Sequence, residues 1–208
     1  TGPTNSSAVQ FDRTSPTLNE ITPVPTPTSD NTSNYTFSSS EAGTIAYGGS
    51  CSSDNNTAVA TNNTITFNAL ADGTYSNCTI TVTHSLNNVS NNLTVSSFIL
   101  DTTAPSLSQV TAVATPNSDN PSTYTFNSTE AVTITNGGRC RSADNTSVAG
   151  NNTITFNELA DNTYDNCTIA VTDNTSNTSA NLPVSEFTIG AIKPALKEIT
   201  AVPTLTND

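Results

Sequence analysis

Four cysteines are the residues whose type and spacing most directly indicate chemistry in this chain of 208 residues. They form two pairs, each separated by 27 positions: Cys51 with Cys78, and Cys140 with Cys167. The spacing predicts one disulfide per copy of an internal repeat, worth about 3–4 kcal/mol in the chain-entropy account of loop closure. Free buried thiols are the main alternative. Zinc is a weaker one, because each copy lacks a second pair of ligands and His84 is the chain's single histidine.

Carboxylates at repeated positions offer a second chemistry, the binding of a hard cation. Calcium takes several carboxylate and carbonyl oxygens. Asp12 and Asp101 recur at the junctions between copies, and Asp30 and Asp119 recur in a loop near one end of each copy. These four residues are the candidate calcium ligands, and no other cofactor is expected. Against a metal, no dense D-x-D-x-D loop is present and an aspartate at a turn commonly caps that turn.

Catalysis is not expected, and we predict that the chain is not an enzyme. A hydrolytic triad needs a base beside its nucleophile. The only histidine is His84, which has Asp173 as its counterpart in the second copy, and it is expected to be a solvated loop residue. The acidic residues lie mostly at turns and not in a pattern that would frame a cleft for glycoside chemistry.

Sequons of the form Asn-x-Ser/Thr are dense along the chain, as expected in part from its abundance of Asn and Thr. Those at Asn77 and Asn166 directly precede a cysteine and are expected to face outward, so that a glycan could be attached there. Asn62 and Asn151 are two further candidates for glycosylation.

The charge balance excludes several classes of partner. The formal net charge is −12, and Lys and Arg together number only 5. Binding to nucleic acid needs clustered cations that displace counterions, and an anionic membrane surface attracts the same clusters. No apolar run approaches the roughly 20 residues of a membrane-spanning helix, and no signal peptide is recognisable. We therefore expect neither nucleic-acid binding nor membrane insertion.

The elements that must position these residues come from an internal repeat of 89 residues, with about three-fifths of aligned positions identical. Copy 1 covers residues 12–100 and copy 2 covers residues 101–189. Residues 190–208 match the first strand of a third copy, and residues 1–11 match the end of a preceding one or an exchanged strand. The short linker containing Pro105 predicts domains that follow one another as a semi-rigid rod.

Strands account for the pattern within each copy. In the stretch 62–83, apolar residues alternate with threonines on either side of an Asp72-Gly73 turn, which predicts two strands with one buried face. Tyr75 follows this turn, and a tyrosine whose hydroxyl bonds back to the chain at such a corner is a device of immunoglobulin-type sandwiches. The first strand, 18–24, has an apolar residue at every third position, which predicts a bulge. We expect six or seven strands per copy, the last two over residues 74–83 and 92–100 in copy 1, and almost no helix.

These motifs resemble the bacterial immunoglobulin-like repeats of very long cell-surface proteins, and the resemblance covers residues 12–189. The residues that carry it are Tyr-Thr-Phe at 35–37, Glu-Ala-Gly-Thr-Ile at 41–45, Tyr-Gly-Gly-Ser-Cys at 47–51, Asn-Thr-Ile-Thr-Phe at 63–67, the run 72–83, Val-Ser-Ser-Phe at 95–98 and Asp-Thr-Thr-Ala-Pro at 101–105. The resemblance implies an immunoglobulin-like fold, surface display or secretion, and no catalysis. Copy 2 departs from copy 1 at Asn136 and Arg139, where copy 1 has Tyr47 and Ser50.

Together these observations predict an all-β protein of tandem immunoglobulin-like β-sandwiches, with one intradomain disulfide each. The expected role is a structural segment of an extracellular bacterial filament, stalk or matrix protein, whose partners are like subunits joined end to end, with strand exchange as one mode of joining. The alternative is an adhesive module that binds a glycan or a host surface, for which Tyr47 is the candidate aromatic contact.

Overall fold

A computed structural model describes residues 11–190 and divides the chain into two compact units. The first unit ends at Ala104 and also includes Asn174–Asn177, and the second comprises Pro105–Asp173 and resumes at Thr178. The predicted segments 1–11 and 190–208 lie outside the described residues, apart from Phe11 and Gly190. Within residues 11–190 every regular element is a β-strand, so this part of the chain has no helix that could span a membrane.

Repeat 1, residues 12–100, contains nine strands arranged in two layers. These are β1 (Leu18–Thr22), β2 (Asn34–Ser39), β3 (Gly43–Gly48), β4 (Thr57–Ala58), β5 (Asn62–Thr66), β6 (Gly73–Tyr75), β7 (Thr79–Thr83), β8 (Leu93–Thr94) and β9 (Phe98–Leu100). One sheet has the order β1-β2-β5 and the other the order β4-β3-β7-β8. The third sheet is a two-stranded ladder, β6-β9, which pairs the strand that precedes β7 with the strand that follows β8. All pairings between these strands are antiparallel.

Repeat 2, residues 101–189, has the same order of strands and sheets. Its strands are β10 (Leu107–Thr111), β11 (Thr123–Ser128), β12 (Val132–Gly137), β13 (Thr146–Ser147), β14 (Gly150–Thr155), β15 (Asn162–Tyr164), β16 (Thr168–Thr172), β17 (Leu182–Pro183) and β18 (Phe187–Ile189). Its sheets are β10-β11-β14 and β13-β12-β16-β17, with the ladder β15-β18. The repeat found in the sequence is therefore a repeat of topology.

Alternation of apolar and polar residues decides which face of each strand is buried. In β2, Tyr35 and Phe37 are fully buried while Thr36 faces outward and its hydroxyl lies 2.9 Å from that of Thr64 on β5. In β7, Ile80 and Val82 are buried between partly exposed threonines. Threonine suits the outer face because its β-branch favours the extended backbone and its hydroxyl remains solvated or paired.

The bulge predicted in the first strand is present in both repeats. The register of β1 against β2 shifts between Glu20 and Thr22, and that of β10 shifts at the matching place. Because of this shift, Val24 is buried whereas Ile21 is 48% exposed. Of the three apolar residues spaced three apart, the middle one, Ile21, therefore turns outward.

The last two predicted strands are each interrupted. The expected strand over residues 74–83 is split into β6 and β7, and the strand expected over residues 92–100 is split into β8 and β9. Val95 and Phe98 are both buried although they are three residues apart, whereas a regular strand places such residues on opposite faces. The irregular segment between β8 and β9 allows both side chains to face the core. Counting each interrupted strand once gives seven strands per repeat, as predicted.

A continuous column of five aromatic rings runs through the core of each repeat. In repeat 1 successive ring centroids are 6.4, 6.0, 6.3 and 5.1 Å apart along the series Phe37, Tyr35, Phe67, Phe98 and Tyr75. In repeat 2 the distances are 6.4, 6.2, 6.1 and 5.3 Å along the series Phe126, Tyr124, Phe156, Phe187 and Tyr164. In repeat 1 the column runs from β2 of the β1-β2-β5 sheet to β9 and β6 of the separate β6-β9 ladder, so that it joins these two sheets.

The predicted tyrosine corner closes this column in both repeats. The Tyr75 hydroxyl donates to the carbonyl oxygen of Ala71 at 2.7 Å, and the Tyr164 hydroxyl donates to that of Ala160 at 2.9 Å. Each ring therefore packs in the core while its polar end satisfies a turn carbonyl four residues earlier.

Both predicted disulfides are formed, Cys51–Cys78 and Cys140–Cys167, each with a Cα–Cα distance of 5.3 Å. Each ties the loop after the third strand of its repeat to the segment that precedes the seventh. Gly49 makes this approach possible: its φ is 76°, and a side chain there would collide with the carbonyl oxygen of Asn77. The predicted fold class is confirmed, namely tandem all-β immunoglobulin-like sandwiches with one intradomain disulfide each.

A polar clamp between the first and last strands distinguishes the two repeats. In repeat 1, the Glu20 carboxylate accepts hydrogen bonds from the backbone N–H of Ser96 at 2.9 Å, its hydroxyl at 2.6 Å and the Tyr35 hydroxyl at 3.0 Å. In repeat 2 the corresponding residue is Gln109, which bonds Ser185. Partial burial opposes ionisation of Glu20, but the bonds from Ser96 and Tyr35 outweigh it and lower its pKa.

Removing a disulfide should destabilise its repeat by the loop-closure term. We expect the double variant Cys51→Ala/Cys78→Ala to lose about 3–4 kcal/mol of unfolding free energy in repeat 1, measured by urea denaturation of the two-repeat chain. The matched variant Cys140→Ala/Cys167→Ala should cost the same in repeat 2. A loss below about 1 kcal/mol in either would contradict the argument.

Repeat 1 should be more sensitive to acid than repeat 2. Because the folded-state pKa of Glu20 is lowered, its stabilisation is fully present above the unfolded value of about 4.3 and is lost as the pH falls through the folded pKa. Hydrogen exchange of β1 and β9 amides should therefore accelerate on acidification more than exchange of β10 and β18 amides, after correction for intrinsic rates. Glu20→Gln should reduce the difference, and Gln109→Glu should extend the acid sensitivity to repeat 2; equal responses in the unaltered chain would refute the assignment.

Candidate functional site

Three side chains of metal-ligand type converge in the first unit: Asp12, Glu41 and His84. One ligand atom of each lies within 4.8 Å of the other two. Asp12 precedes β1, Glu41 lies in the turn between β2 and β3, and His84 directly follows β7. Two strand ends and the start of the repeat therefore meet at one place. Asp12 is a predicted calcium ligand, whereas the two residues beside it were not predicted to take part.

Backbone hydrogen bonds orient Asp12 within this cluster. Its Oδ1 accepts the backbone N–H of Thr14 at 2.9 Å, and its carbonyl oxygen accepts from the Asn88 side chain at 3.0 Å. The Thr14 bond is the main reason that the pKa of Asp12 is lowered, with a smaller contribution from the nearby His84. The second carboxylate oxygen, Oδ2, is the one that faces the His84 ring at 3.9 Å.

The other predicted calcium residues serve turns. Asp30 Oδ1 accepts from both the backbone N–H and the hydroxyl of Thr32, at 3.0 and 3.1 Å. The backbone N–H of Asp119 donates to the Asn117 side chain at 2.9 Å, and Asp101 Oδ1 accepts from Thr103 N–H at 3.1 Å. Among residues 11–190, neither Asp30 nor Asp119 belongs to a group of three potential metal ligands.

The corner aspartate Asp72 holds the linker that follows repeat 1. Its Oδ1 accepts from the Thr102 backbone N–H at 2.9 Å and from the Thr102 hydroxyl at 2.7 Å, and its Oδ2 accepts from the Thr103 hydroxyl at 2.6 Å. The hydroxyl of Thr103, the hydroxyl of Thr102 and the Thr102 N–H, in that order, lower the pKa of Asp72. The linker is thus fixed to the corner of the first unit by side-chain bonds.

The first and last segments of each repeat meet in a short parallel bridge. In repeat 1 the Thr28 N–H donates to Ile99 O at 3.0 Å and the Asp101 N–H donates to Thr28 O at 2.9 Å, which pairs Thr28 with Leu100 in parallel. Ile99 N–H also donates to the Thr26 hydroxyl at 3.0 Å.

Repeat 2 reproduces this parallel bridge. Asn117 N–H donates to Thr188 O at 2.9 Å, Gly190 N–H donates to Asn117 O at 3.1 Å, and Thr188 N–H donates to the Thr115 hydroxyl at 3.1 Å. The parallel arrangement is therefore a property of the repeat and not of one copy. No local pattern of residues predicts this pairing.

The four predicted glycosylation residues are all on the surface. Asn77 and Asn166 are exposed, and their side-chain oxygens accept the backbone N–H groups of Ser50 at 3.1 Å and Arg139 at 3.3 Å. Asn62 and Asn151 are exposed at or near the start of β5 and β14. Their exposure is compatible with modification, and glycosylation at these positions remains a prediction.

The repeats differ at the end of their third strands and in the loop that follows, and the differing residues make contacts within each repeat. Tyr47 packs against the core of repeat 1 and its hydroxyl donates to the carbonyl oxygen of Asn55. In repeat 2 the guanidinium of Arg139 lies 5.0 Å from the centroid of the Tyr164 ring, and Arg141 donates to Asn136 O at 2.7 Å. Both arginines of copy 2 thus have structural contacts.

Comparison with known proteins shows a likeness to solved structures. No protein-family model matches the chain, and no curated protein matches it. The fibronectin(III)-like modules of Clostridium thermocellum CbhA are similar to this chain with a TM-score of 0.40 and 9% sequence identity, over 83% of this chain and 94% of that one.

Replacing the corner aspartate should loosen the linker. Asp72→Ala removes the acceptor of the Thr102 N–H and of both threonine hydroxyls, whereas the Thr103 N–H keeps its bond to Asp101 Oδ1. We therefore expect the Thr102 amide to exchange with deuterium at least severalfold faster, measured by NMR or mass spectrometry. Asp161→Ala is the matched control, because the residues that follow repeat 2 at the equivalent positions are Ala191 and Ile192. Unchanged protection of Thr102 in Asp72→Ala would show that the side-chain bonds do not hold the linker.

Proposed function

We propose that this chain is a structural, tension-bearing segment of an extracellular filament, stalk or matrix protein, in which like subunits are joined end to end. The observation that carries the proposal is the parallel bridge between the first and last segments of each repeat. Pulling on the two ends of a repeat moves parallel partners in opposite directions along their length. All bonds of the bridge are then loaded in shear at once, whereas an antiparallel pair loaded from one end opens bond by bond.

Two further features support this role. Asp72 fixes the linker to the corner of the first unit, so that load applied at the linker is passed to a folded domain. The disulfides in both repeats support an extracellular location, since structural disulfides persist in oxidising compartments.

The adhesive alternative depended on an aromatic side chain offered at a loop tip. Tyr47 was the candidate for that contact, but its ring packs against the core and its hydroxyl is bonded to Asn55. Repeat 2 has Asn136 at this position. No contact in residues 11–190 favours glycan binding over the load-bearing role, and binding to a glycan array remains the direct test of adhesion.

Forced unfolding of the two-repeat chain tests the proposal. Thr26→Val removes the acceptor of the Ile99 amide while keeping the shape of the side chain, and a lost hydrogen bond of about 1 kcal/mol should raise the unfolding rate under load roughly fivefold in repeat 1. Thr115→Val should do the same in repeat 2. Single-molecule pulling at constant force measures both rates.

The control separates mechanical from general stability. Thr36→Val alters a hydroxyl on the outer face of β2, away from the bridge, and should change the unfolding rate under load by less than the Thr26 variant does. If Thr26→Val and Thr36→Val have equal effects under load, or if the unaltered repeats unfold at forces too low to detect, the bridge does not bear tension and the proposed role is wrong.

A further inference from the structure

The cluster of Asp12, Glu41 and His84 contains polar atoms with unmet bonding capacity. Glu41 Oε2 and His84 Nδ1 are inaccessible to solvent and have no hydrogen-bond partner. The side chains that carry them are only 19% and 22% exposed, and that of Asp12 is 38% exposed. Buried polar atoms are normally hydrogen-bonded, whereas these two face each other at ion-pair distance without a hydrogen bond, which leaves room for a further partner between them.

The separations within the cluster suit a shared cation. His84 Nδ1 lies 3.9 Å from Asp12 Oδ2 and 3.8 Å from Glu41 Oε2. These distances exceed those of N–H···O hydrogen bonds, which reach about 3.2 Å. Two ligands that each lie about 2.1 Å from one ion are themselves roughly 3.4–3.9 Å apart when the angle at the ion is tetrahedral or somewhat wider. An ion between the three atoms would therefore satisfy the two buried ones with small adjustments.

Two of the ligands, Asp12 and His84, are oriented by a second contact on their other side. Asp12 Oδ1 is held by Thr14, which leaves Oδ2 toward the cluster. Ser85 Oγ lies 3.3 Å from His84 Nε2, and the His84 backbone N–H donates to Asn88 O at 2.9 Å. A hydrogen-bonding group at one ring nitrogen fixes the other nitrogen as the metal ligand, which is how histidine ligands are usually held.

The mixed set of ligands indicates the class of ion. Imidazole nitrogen suits zinc, copper, iron and nickel, whereas sites made of oxygen alone suit calcium and magnesium. The residues that follow these three by one repeat length are Asp101, Glu130 and Asp173, which offer only oxygen. Repeat 1 thus differs from repeat 2 by the exchange of one carboxylate for an imidazole. Two carboxylates and one neutral imidazole also balance the charge of a divalent ion.

We propose that Asp12, Glu41 and His84 form a binding site for a divalent transition metal of borderline softness, with Zn²⁺ as its probe. The site belongs to repeat 1 and joins Asp12, a predicted calcium ligand, to Glu41 and His84, which were not predicted to bind a metal. It brings together the start of the repeat, the turn between β2 and β3, and the end of β7. An ion here would link the segment before β1 to the two strands β3 and β7.

The test uses the full chain after treatment with a chelator. Because the chain has one histidine, its ring protons give a single set of NMR signals. One equivalent of Zn²⁺ should shift these signals, and calorimetry should show saturable binding of one ion. His84→Ala and Glu41→Gln should each weaken binding at least about tenfold, since even the loss of an outer-shell partner commonly costs that much. Asp54→Asn, which changes an acid of repeat 1 outside the cluster, should leave binding unchanged.

Three results would overturn the proposal. The first is Zn²⁺ binding that persists unchanged in both His84→Ala and Glu41→Gln, with their folds verified by circular dichroism. The second is the absence of any shift of the His84 ring signals at one equivalent of Zn²⁺. The third is displacement of Zn²⁺ by an equal concentration of Ca²⁺, which would assign the site to hard cations. A His84→Asp variant that exchanges Zn²⁺ preference for Ca²⁺ preference would support the role of the imidazole.

Discussion

The aromatic column is the interaction on which the rest of each repeat depends. Ten of the twelve aromatic residues of the chain belong to the two columns, and the chain has no Trp or Met to fill a core in another way. Because the stacked rings of repeat 1 come from the β1-β2-β5 sheet with the residue that follows β5, and from the β6-β9 ladder, they hold these two sheets together and decide which faces of their strands are buried. The short strands β6 and β9 would have little reason to pair without Tyr75 and Phe98, whose centroids are 5.1 Å apart.

The two repeats show how much polar variation this core tolerates. Tyr35 donates to Glu20, whereas the equivalent Tyr124 hydroxyl is buried without a partner because Gln109 is engaged with Ser185. Burial alone raises the pKa of Tyr124 to about 12. Tyr124 nevertheless keeps the same place in its column, with the Phe126 centroid at 6.4 Å as in repeat 1. Ring packing therefore determines where the tyrosine lies. The hydrogen bond to its hydroxyl is not needed to place the ring.

Much of the fold could be predicted from the sequence, because the signals are local. Alternation in β2, β5 and β7, the turn before Tyr75 and the equal spacing of the cysteines each involve few residues with a clear physical consequence. The cluster of Asp12, Glu41 and His84 could not be found in this way. Glu41 and His84 are distant in sequence from Asp12 and belong to no local motif, and His84 was expected to be a solvated loop residue. The parallel bridge of Thr28 also escaped, because pairing between the ends of a repeat depends on the path of the whole chain.

The position of the disulfide relative to the parallel bridge decides what it can do under load. The bridge involves the first and last segments of a repeat, whereas Cys51 and Cys78 lie inside it, and the residues between them include β4, β5 and β6. The disulfide therefore does not carry force until the bridge has broken and the chain has unravelled from both ends to the cysteines. The chain between Cys51 and Cys78, with a sequence separation of 27, then stays closed by the disulfide and does not extend. At about 3.6 Å per residue, this shortens the unfolded repeat by roughly 90–100 Å. In the proposed load-bearing role, resistance to rupture would therefore come from the hydrogen-bonded bridge, and the disulfide would limit how far a ruptured repeat extends.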